Sequence, residues 1–232
     1  MAIWVLIHSP LVGAATWAPV AAELHRLGQH VVVPDLSPAL STTVDHASRQ
    51  AELVASAVRR GPVVLVAHSG AGPLLPLIAD RLIQQRISVA ASVFVDAGLP
   101  HPGQSRIEVL PAPAVGQLQE MAVDGWLPPW TSWWSPEQLL AILPDERVRN
   151  RLIETCPRLP SSLFSELLPN LDEKQLGICS YVRLSNAYDD VAARAEGAGW
   201  PVRRIDAHHL AIVTAPQQIA EAVLALVKPA GD

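Results

Sequence analysis

A chain of 232 residues, half of them apolar, can bury one substantial core, and its 22 acidic and 17 basic residues leave a formal net charge of −5. Acids and bases are scattered rather than grouped, which argues against a nucleic-acid or anionic-membrane partner. No apolar run approaches the roughly 18 residues of a membrane span, and Met1 is followed by "AIWVLIHS" without a basic leader region, so we expect a cytoplasmic protein.

Short β-branched runs alternate with longer amphipathic segments along most of the chain. Strands are predicted, in chain order, at 3–8, 30–35, 63–68, 92–97, 179–184 and 201–206. Helices are predicted at 17–28, 42–60, about 189–198 and 214–227. This alternation predicts an α/β fold in which a mainly parallel six-stranded sheet is covered by helices on both faces.

Residues 98–176 break the alternation, with 11 of the 21 prolines, four of the seven tryptophans and short helical pieces at 135–143 and 145–155. An insertion between two parallel strands lies over one end of the sheet, and ligands bind at the carboxyl ends of the strands. We therefore predict a core formed by 1–97 and 177–232, and a helical cap, 98–176, inserted over the active site.

The stretch "VAHSGAG", residues 66–72, follows the third predicted strand and opens a helix. A strand that runs directly into a helix places Ser69 in the turn itself, and the crowding requires small residues nearby, here Ala67, Ala71 and Gly72. This is the strand-turn-helix context of a nucleophilic serine, with alanines in place of some glycines. The alternative is a small-residue turn with a structural serine.

Four segments of the chain together resemble one family along nearly its whole length. They are "LIHSPLVGAATWAPVAAEL", "VAHSGAG", "FVDAGLPHPGQS" and "AGWPVRRIDAHHLAIVTAP". They are similar to the α/β-hydrolase superfamily, and more narrowly to the branch of plant hydroxynitrile lyases and methyl-ester esterases and to small actinobacterial hydrolases. The resemblance implies an α/β-hydrolase fold with Ser69 as nucleophile.

The resemblance also implies a catalytic histidine between the last strand and the last helix, where His208 and His209 stand among the eight histidines. The family places this histidine seven residues before the proline that opens the last helix. Counting back from Pro216 selects His209, and His208 is then a neighbour that hydrogen-bonds locally.

Three aspartates compete for the role of triad acid. The acid usually follows the penultimate strand, which makes Asp189 the first choice and Asp190 the second. Asp96, at the end of the fourth strand, is the third, because some family members take the acid from the preceding strand. Asp189 or Asp190 could instead cap the helix that follows.

The N–H of Gly70, directly after Ser69, is predicted to be one donor of the oxyanion hole. The resemblance implies a second donor in the first loop, where the family usually has histidine-glycine-X with the N–H of X as donor and this chain has His8-Ser9-Pro10. Proline has no N–H to give, so the second donor must be the N–H of Leu11 or the hydroxyl of Ser9, or else ester hydrolysis is inefficient.

Tryptophans are concentrated in the predicted cap. Trp126, Trp130 and Trp134, with Ser9 and His68, are the predicted substrate contacts, and they favour a partly apolar substrate. The alternative for each tryptophan is a place in the small core of the cap.

The sequence thus predicts a serine hydrolase that acts on an ester, thioester or lactone of a partly apolar small molecule, without a cofactor or metal. A cyanohydrin lyase is less favoured, because Leu210 stands where the plant lyases have lysine after the catalytic histidine. A lyase, cyclase or isomerase on the same fold, and a ligand-binding module without turnover, remain the alternatives. A homodimer is left open.

Overall fold

A six-stranded sheet forms the centre of the computed structural model, which describes residues 2–227. Its strands are β1 (Ile3–Ile7), β2 (His30–Val32), β3 (Val63–His68), β4 (Val89–Val95), β7 (Ile178–Arg183) and β8 (Val202–Arg204). Their order in the sheet is β2-β1-β3-β4-β7-β8, and each neighbouring pair is parallel. All six predicted strands and their parallel arrangement are confirmed.

The central strands are buried on both faces. Every residue of β1 and β3 is buried, which explains why these strands read as continuous apolar runs rather than as alternating ones. Side chains such as Leu65 and Ala67 pack on one face of the sheet, and Val64 and Val66 pack on the other. The sheet therefore has an apolar helix layer on each side.

Eleven α-helices accompany these strands within residues 2–227. Those outside 98–176 are α1 (Ala18–Arg26), α2 (His46–Ala57), α3 (Leu75–Gln84), α9 (Asp189–Gly197), α10 (Ala211–Thr214) and α11 (Pro216–Val227). Those inside it are α4 (Arg106–Val109), α5 (Ala112–Met121), α6 (Pro136–Ile142), α7 (Glu146–Thr155) and α8 (Ser162–Ser165).

Segment 98–176 leaves the six-stranded sheet after β4 and returns before β7. It contains a small antiparallel pair, β5 (Trp126–Leu127) with β6 (Leu159–Pro160). One of its apolar clusters includes Val12 and Leu210, which belong to the loops after β1 and β8. The segment thus packs against loops at the carboxyl ends of the strands, and its role as a cap over an active site stays a prediction.

Within the described range, no helix combines the length and the apolar character that crossing a bilayer would require.

Candidate active site

Ser69 lies in a strained turn between strand and helix. β3 ends at His68, and a 3-10 turn over Ser69–Leu74 leads into α3. The φ angle of Ser69 is +57°, a left-handed conformation that a residue other than glycine adopts at a cost in free energy. Strain of this kind at a serine between strand and helix is typical of a nucleophile elbow.

Gly72 shows why the turn needs small residues. A Cβ built on Gly72 would lie 2.0 Å from the carbonyl oxygen of Gly98, which is backbone and cannot swing away. The N–H of Gly98 in turn donates to the carbonyl of Ser69 at 3.1 Å. The close approach of these two segments fixes the main chain of the nucleophile turn.

Replacing Gly72 with alanine should therefore lower the free energy of unfolding by about 1–3 kcal/mol, the usual cost of forcing an extra methyl into a packed site. Gly116→Ala is the matched control, because a Cβ at this position of α5 would meet nothing within 4 Å. That change should be neutral or stabilising by about 0.5–1 kcal/mol. Urea unfolding of both variants measures the difference, and equal stabilities would contradict the close approach at Gly72.

His209 is held by a buried carboxylate, and the carboxylate is that of Asp96. The Nδ1 atom of His209 lies 2.9 Å from Oδ2 of Asp96. Asp96 follows β4 and is fully buried, whereas a quarter of the His209 side chain is exposed. The structure thus selects the third of the three aspartates named from the sequence.

Neighbouring donors keep Asp96 ionised. Its Oδ1 accepts the N–H groups of Leu184 at 2.7 Å and Ser185 at 3.1 Å, and the Ser185 hydroxyl donates to Oδ2 at 2.5 Å. Burial by itself would raise the pKa of Asp96, but the hydrogen bond and charge of His209, with the bonds from Ser185 and Leu184, lower it below its ordinary value. Asp96 is therefore a carboxylate that can orient His209 and stabilise its charged form.

The prediction that Asp189 partners His209 is wrong in this structure. Asp189 begins α9, and its carboxylate lies 2.7 Å from Nε of Arg183. Asp190, the second choice, is an exposed residue in the same first turn. Both aspartates lie in the first turn of α9, where acidic side chains favour the N-terminal end of a helix. The capping alternative is not confirmed, because the N-cap residue is Tyr188 and no side chain makes a capping hydrogen bond there.

Two aromatic rings contact the imidazole of His209. The ring of Tyr188 is parallel to it, within 2°, with centroids 5.2 Å apart, and that of His68 is tilted by 32° at 4.4 Å. Burial raises the pKa of Tyr188 to about 12, so at neutral pH the phenol keeps its proton.

His68 is a buried residue that contacts the backbone of the loop carrying His209. It is buried, and its Nε2 lies 2.9 Å from the carbonyl oxygen of His209, which makes Nε2 the protonated nitrogen. Burial, followed by the charge of His209, lowers the pKa of His68 to about 3. His68 is thus neutral, and it fixes the backbone that carries His209. His208, as expected, hydrogen-bonds locally, to the hydroxyl of Thr214 at 3.0 Å.

The lowered pKa of His68 should make folding pH-dependent. In the unfolded chain a histidine binds its proton near pH 6.5, whereas folded His68 binds it only near pH 3. Between these values the unfolded state holds one more proton, so the free energy of unfolding falls with falling pH, by up to about 1.4 kcal/mol per unit. Urea unfolding of His68→Asn between about pH 6 and pH 4.5 should lack this part of the slope. The variant of the exposed His30, His30→Asn, should keep it, and identical slopes in the two variants would refute the assignment.

The loop after β1 contains the second half of the predicted oxyanion hole. The N–H of Leu11 donates to the hydroxyl oxygen of Ser9 at 3.3 Å, so it is already engaged within the loop. The Oγ of Ser9 would lie 3.2 Å from a Cβ built on Gly70. Of the two substitutes considered for Pro10, the structure places the Ser9 hydroxyl beside Gly70.

His8 holds this loop in place. Its Nδ1 lies 2.8 Å from the carbonyl oxygen of Ser9, and its Nε2 accepts the N–H of Leu36 at 2.9 Å. Since Nε2 accepts a hydrogen bond, the proton of the neutral ring is on Nδ1, where it donates to Ser9. The loop is therefore anchored before any ligand arrives.

Ser69 and His209 line the same small cavity, with about 220 Å³ of empty volume. The other lining residues are Ser9, Leu11, Val12, His68, Trp130 and Leu210. The small size of this cavity and its mainly apolar lining favour a small or partly exposed ligand. Ser9, His68 and Trp130 are substrate contacts that the sequence predicts, whereas Leu11, Val12 and Leu210 are not predicted.

The other two predicted tryptophan contacts lie elsewhere. Trp134 packs against Trp130 in an edge-to-face pair with centroids 5.5 Å apart. Trp126 belongs to β5, and the guanidinium of Arg158 lies 5.8 Å from its ring centroid. Trp134 thus supports a cavity residue, and Trp126 helps to build segment 98–176, which is the role the alternative interpretation gave the tryptophans.

Arg106 contacts the nucleophile turn, and no sequence motif predicts this. It lies at the start of α4, and its Nη1 donates to the carbonyl of Gly70 at 2.7 Å. The sequence signal was weak, since Arg106 stands 36 residues from Gly70 and outside every motif considered.

Parallel α/β architecture, a serine on a strained turn after a central strand, and a histidine held by a buried aspartate together define an α/β hydrolase. The model of the alpha/beta hydrolase family matches residues 4–222, so the chain belongs to that family.

The individual proteins that are similar to this chain match it at low sequence identity. Methylesterase 8 of Arabidopsis thaliana is 26% identical over 248 residues, which cover 96% of this chain and 88% of the relative. An extracellular α/β-hydrolase from a Paenibacillus species superposes with a TM-score of 0.77 at 19% identity, covering 97% and 99% of the two chains. A pyrethroid hydrolase from Sphingobium faniae gives a TM-score of 0.71 at 21% identity, covering 97% of each chain. These structural likenesses concern the fold.

Proposed function

We propose that the protein is a serine esterase that hydrolyses an ester of a small, partly apolar molecule. The observation that carries the proposal is the contact of His209 with buried Asp96 at 2.9 Å, beside a cavity that His209 shares with Ser69. Two similar proteins are named for related chemistry, one as a methylesterase and one as a pyrethroid hydrolase. Their names support the same reaction class.

In the proposed reaction His209 removes the proton of the Ser69 hydroxyl while Oγ bonds to the ester carbon. The carbonyl oxygen becomes an oxyanion, which the N–H of Gly70 and the hydroxyl of Ser9 stabilise. Collapse of this intermediate breaks the ester bond, and His209 returns the proton to the leaving alcohol. Water, deprotonated by His209, then attacks the acyl-enzyme and releases the acid, which restores Ser69.

Asp96 acts through His209. Because it accepts from Nδ1, it leaves Nε2 without the ring proton and available as the base, and its charge stabilises the imidazolium formed in each half-reaction. Neutral His68 and the Tyr188 ring contact the same imidazole, so they limit its reorientation without competing for its proton at neutral pH.

Labelling with a neutral fluorophosphonate, measured by intact mass, tests the proposal. The wild-type protein should gain one phosphonyl group, Ser69→Ala should gain none, and His209→Ala should react far more slowly. Ser41→Ala, which alters an exposed serine, is the matched control and should react like the wild type.

Two other results of the labelling would favour the alternative functions. Absence of labelling in the wild type would favour the ligand-binding alternative. Labelling at Ser69 without hydrolysis of p-nitrophenyl esters would favour a lyase, cyclase or isomerase that uses the same Ser-His pair.

A further inference from the structure

Arg106 brings a positive charge to the residue that follows the nucleophile. Its Nη1 donates to the carbonyl of Gly70 at 2.7 Å. A Cβ built on Gly70 would lie 3.7 Å from this Nη1 and 3.2 Å from Oγ of Ser9. The guanidinium and a cavity-lining hydroxyl therefore flank the same glycine.

The charge of Arg106 is not balanced by an ion pair. Among the residues that the structure describes, no carboxylate lies within 4.0 Å of its guanidinium. The carboxylate whose charge acts on it is that of Glu166, but Glu166 accepts the N–H of Ala47 at the start of α2, at 3.1 Å from Oε2. Burial lowers the pKa of Arg106 to about 10, which still leaves it charged at neutral pH.

The bond to Gly70 uses one of the five N–H groups of the guanidinium. Arg106 keeps partial exposure to solvent, and its guanidinium nitrogens are not among the fully buried side-chain nitrogens without a hydrogen-bond partner in the described residues. A guanidinium presents these donors in a planar fork that matches the two oxygens of a carboxylate. A partly buried cation without a carboxylate partner, beside an apolar cavity, is chemically complementary to a negatively charged group on the ligand.

We propose that Arg106 binds a carboxylate carried by the substrate, so that the preferred substrates are half-esters of short dicarboxylic acids. Hydrolysis of these half-esters rests on the proposed esterase function, whereas binding of a carboxylate at Arg106 does not. The scissile carbonyl lies at Ser69 and the N–H of Gly70, the carboxylate lies at Arg106, and the apolar alcohol portion lies toward Trp130 and Leu210. Because the guanidinium contacts the carbonyl of the same Gly70, a chain of a few carbons spans the two groups.

The kinetic test compares two esters of equal chain length. The p-nitrophenyl monoester of glutaric acid carries the free carboxylate, and p-nitrophenyl valerate has a methyl group in its place. The wild type should prefer the glutarate ester, and Arg106→Met should lower kcat/KM for it at least about tenfold more than for the valerate, as expected for loss of a charge-assisted hydrogen bond. Arg106→Lys should retain part of the preference, and Arg147→Met, at an exposed position of α7, should retain all of it.

Equal losses on both esters in Arg106→Met would show that Arg106 only clamps the turn at Gly70, and would overturn the proposal. The rate of labelling by a neutral fluorophosphonate, which carries no carboxylate, shows whether the turn itself is intact in each variant.

A binding measurement separates this proposal from the esterase proposal. Ser69→Ala protein should bind monomethyl glutarate more tightly than methyl valerate by calorimetry, and adding Arg106→Met should weaken binding of the former at least about tenfold. If the wild type hydrolyses neither ester but this binding difference is found, the esterase function fails and the carboxylate site stands. If both esters are hydrolysed and neither assay detects a dependence on Arg106, the carboxylate site fails alone.

Discussion

Replacing Asp96 with asparagine should lower kcat for ester hydrolysis by about 10⁴-fold. The two backbone N–H groups of Leu184 and Ser185 both point at Oδ1, so the amide oxygen of asparagine will take that place. The amide NH₂ then faces Nδ1 of His209 in place of Oδ2. A donor at this position forces Nδ1 to accept, which moves the ring proton to Nε2, and the imidazole can no longer remove the proton of Ser69.

Asp189→Asn is the matched control for this variant. Its carboxylate pairs with Arg183 and is about half exposed, so its loss should change kcat no more than a few-fold, in keeping with the small contribution of exposed ion pairs. Steady-state kinetics on a p-nitrophenyl ester, with thermal unfolding to confirm that both variants fold, measures the contrast. A large loss in Asp189→Asn and a small one in Asp96→Asn would return the role of acid to the first choice from the sequence.

The sheet could be predicted because its causes are local. Strands such as β3 are buried on both faces and therefore read as continuous β-branched runs, which periodicity detects. The nucleophile turn was predictable for a similar reason, because crowding at Ser69 demands small residues within a few positions along the chain. Gly72, whose Cβ would overlap the carbonyl of Gly98, shows that this demand is steric.

The acid could not be predicted in the same way. β4 and β7 are neighbours in a parallel sheet, so aspartates that follow either strand reach the same edge. The choice depends on long-range register, since Leu184 and Ser185 after β7 donate to Asp96 after β4. It depends also on the other partners of each aspartate, because Asp189 forms an ion pair with Arg183 instead of contacting His209. Neither cause has a signature in the local pattern.

The contents of segment 98–176 were equally hard to assign. Composition shows that tryptophans are concentrated there, but only the packing of the segment on the core separates Trp130, which lines the cavity, from Trp126, which does not. Arg106 was missed because its contact with Gly70 joins two segments that share no motif.

Replacing Ser9 with alanine should lower kcat by about 10²- to 10³-fold, the usual effect of removing one oxyanion donor. Proline at position 10 has no N–H, and the N–H of Leu11 is engaged by Ser9 itself, so the hydroxyl of Ser9 is the donor that remains beside Gly70. Because Leu11 donates to this oxygen, the hydroxyl hydrogen is free to point at the substrate. Ser9→Thr keeps the hydroxyl and should retain most of the activity.

The role of the hydroxyl can be separated from a structural role by returning a donor to the same loop. The double variant Ser9→Ala/Pro10→Ala has no hydroxyl at position 9 but regains a backbone N–H at position 10, where the family usually supplies one. If the hydroxyl acts as the missing donor, the double variant should recover part of the kcat lost in Ser9→Ala, with little change in KM. A different outcome is that the loss of kcat in the double variant equals the sum of the losses in Ser9→Ala and in Pro10→Ala. In that case Ser9 only shapes the loop, and the oxyanion depends on the N–H of Gly70 alone.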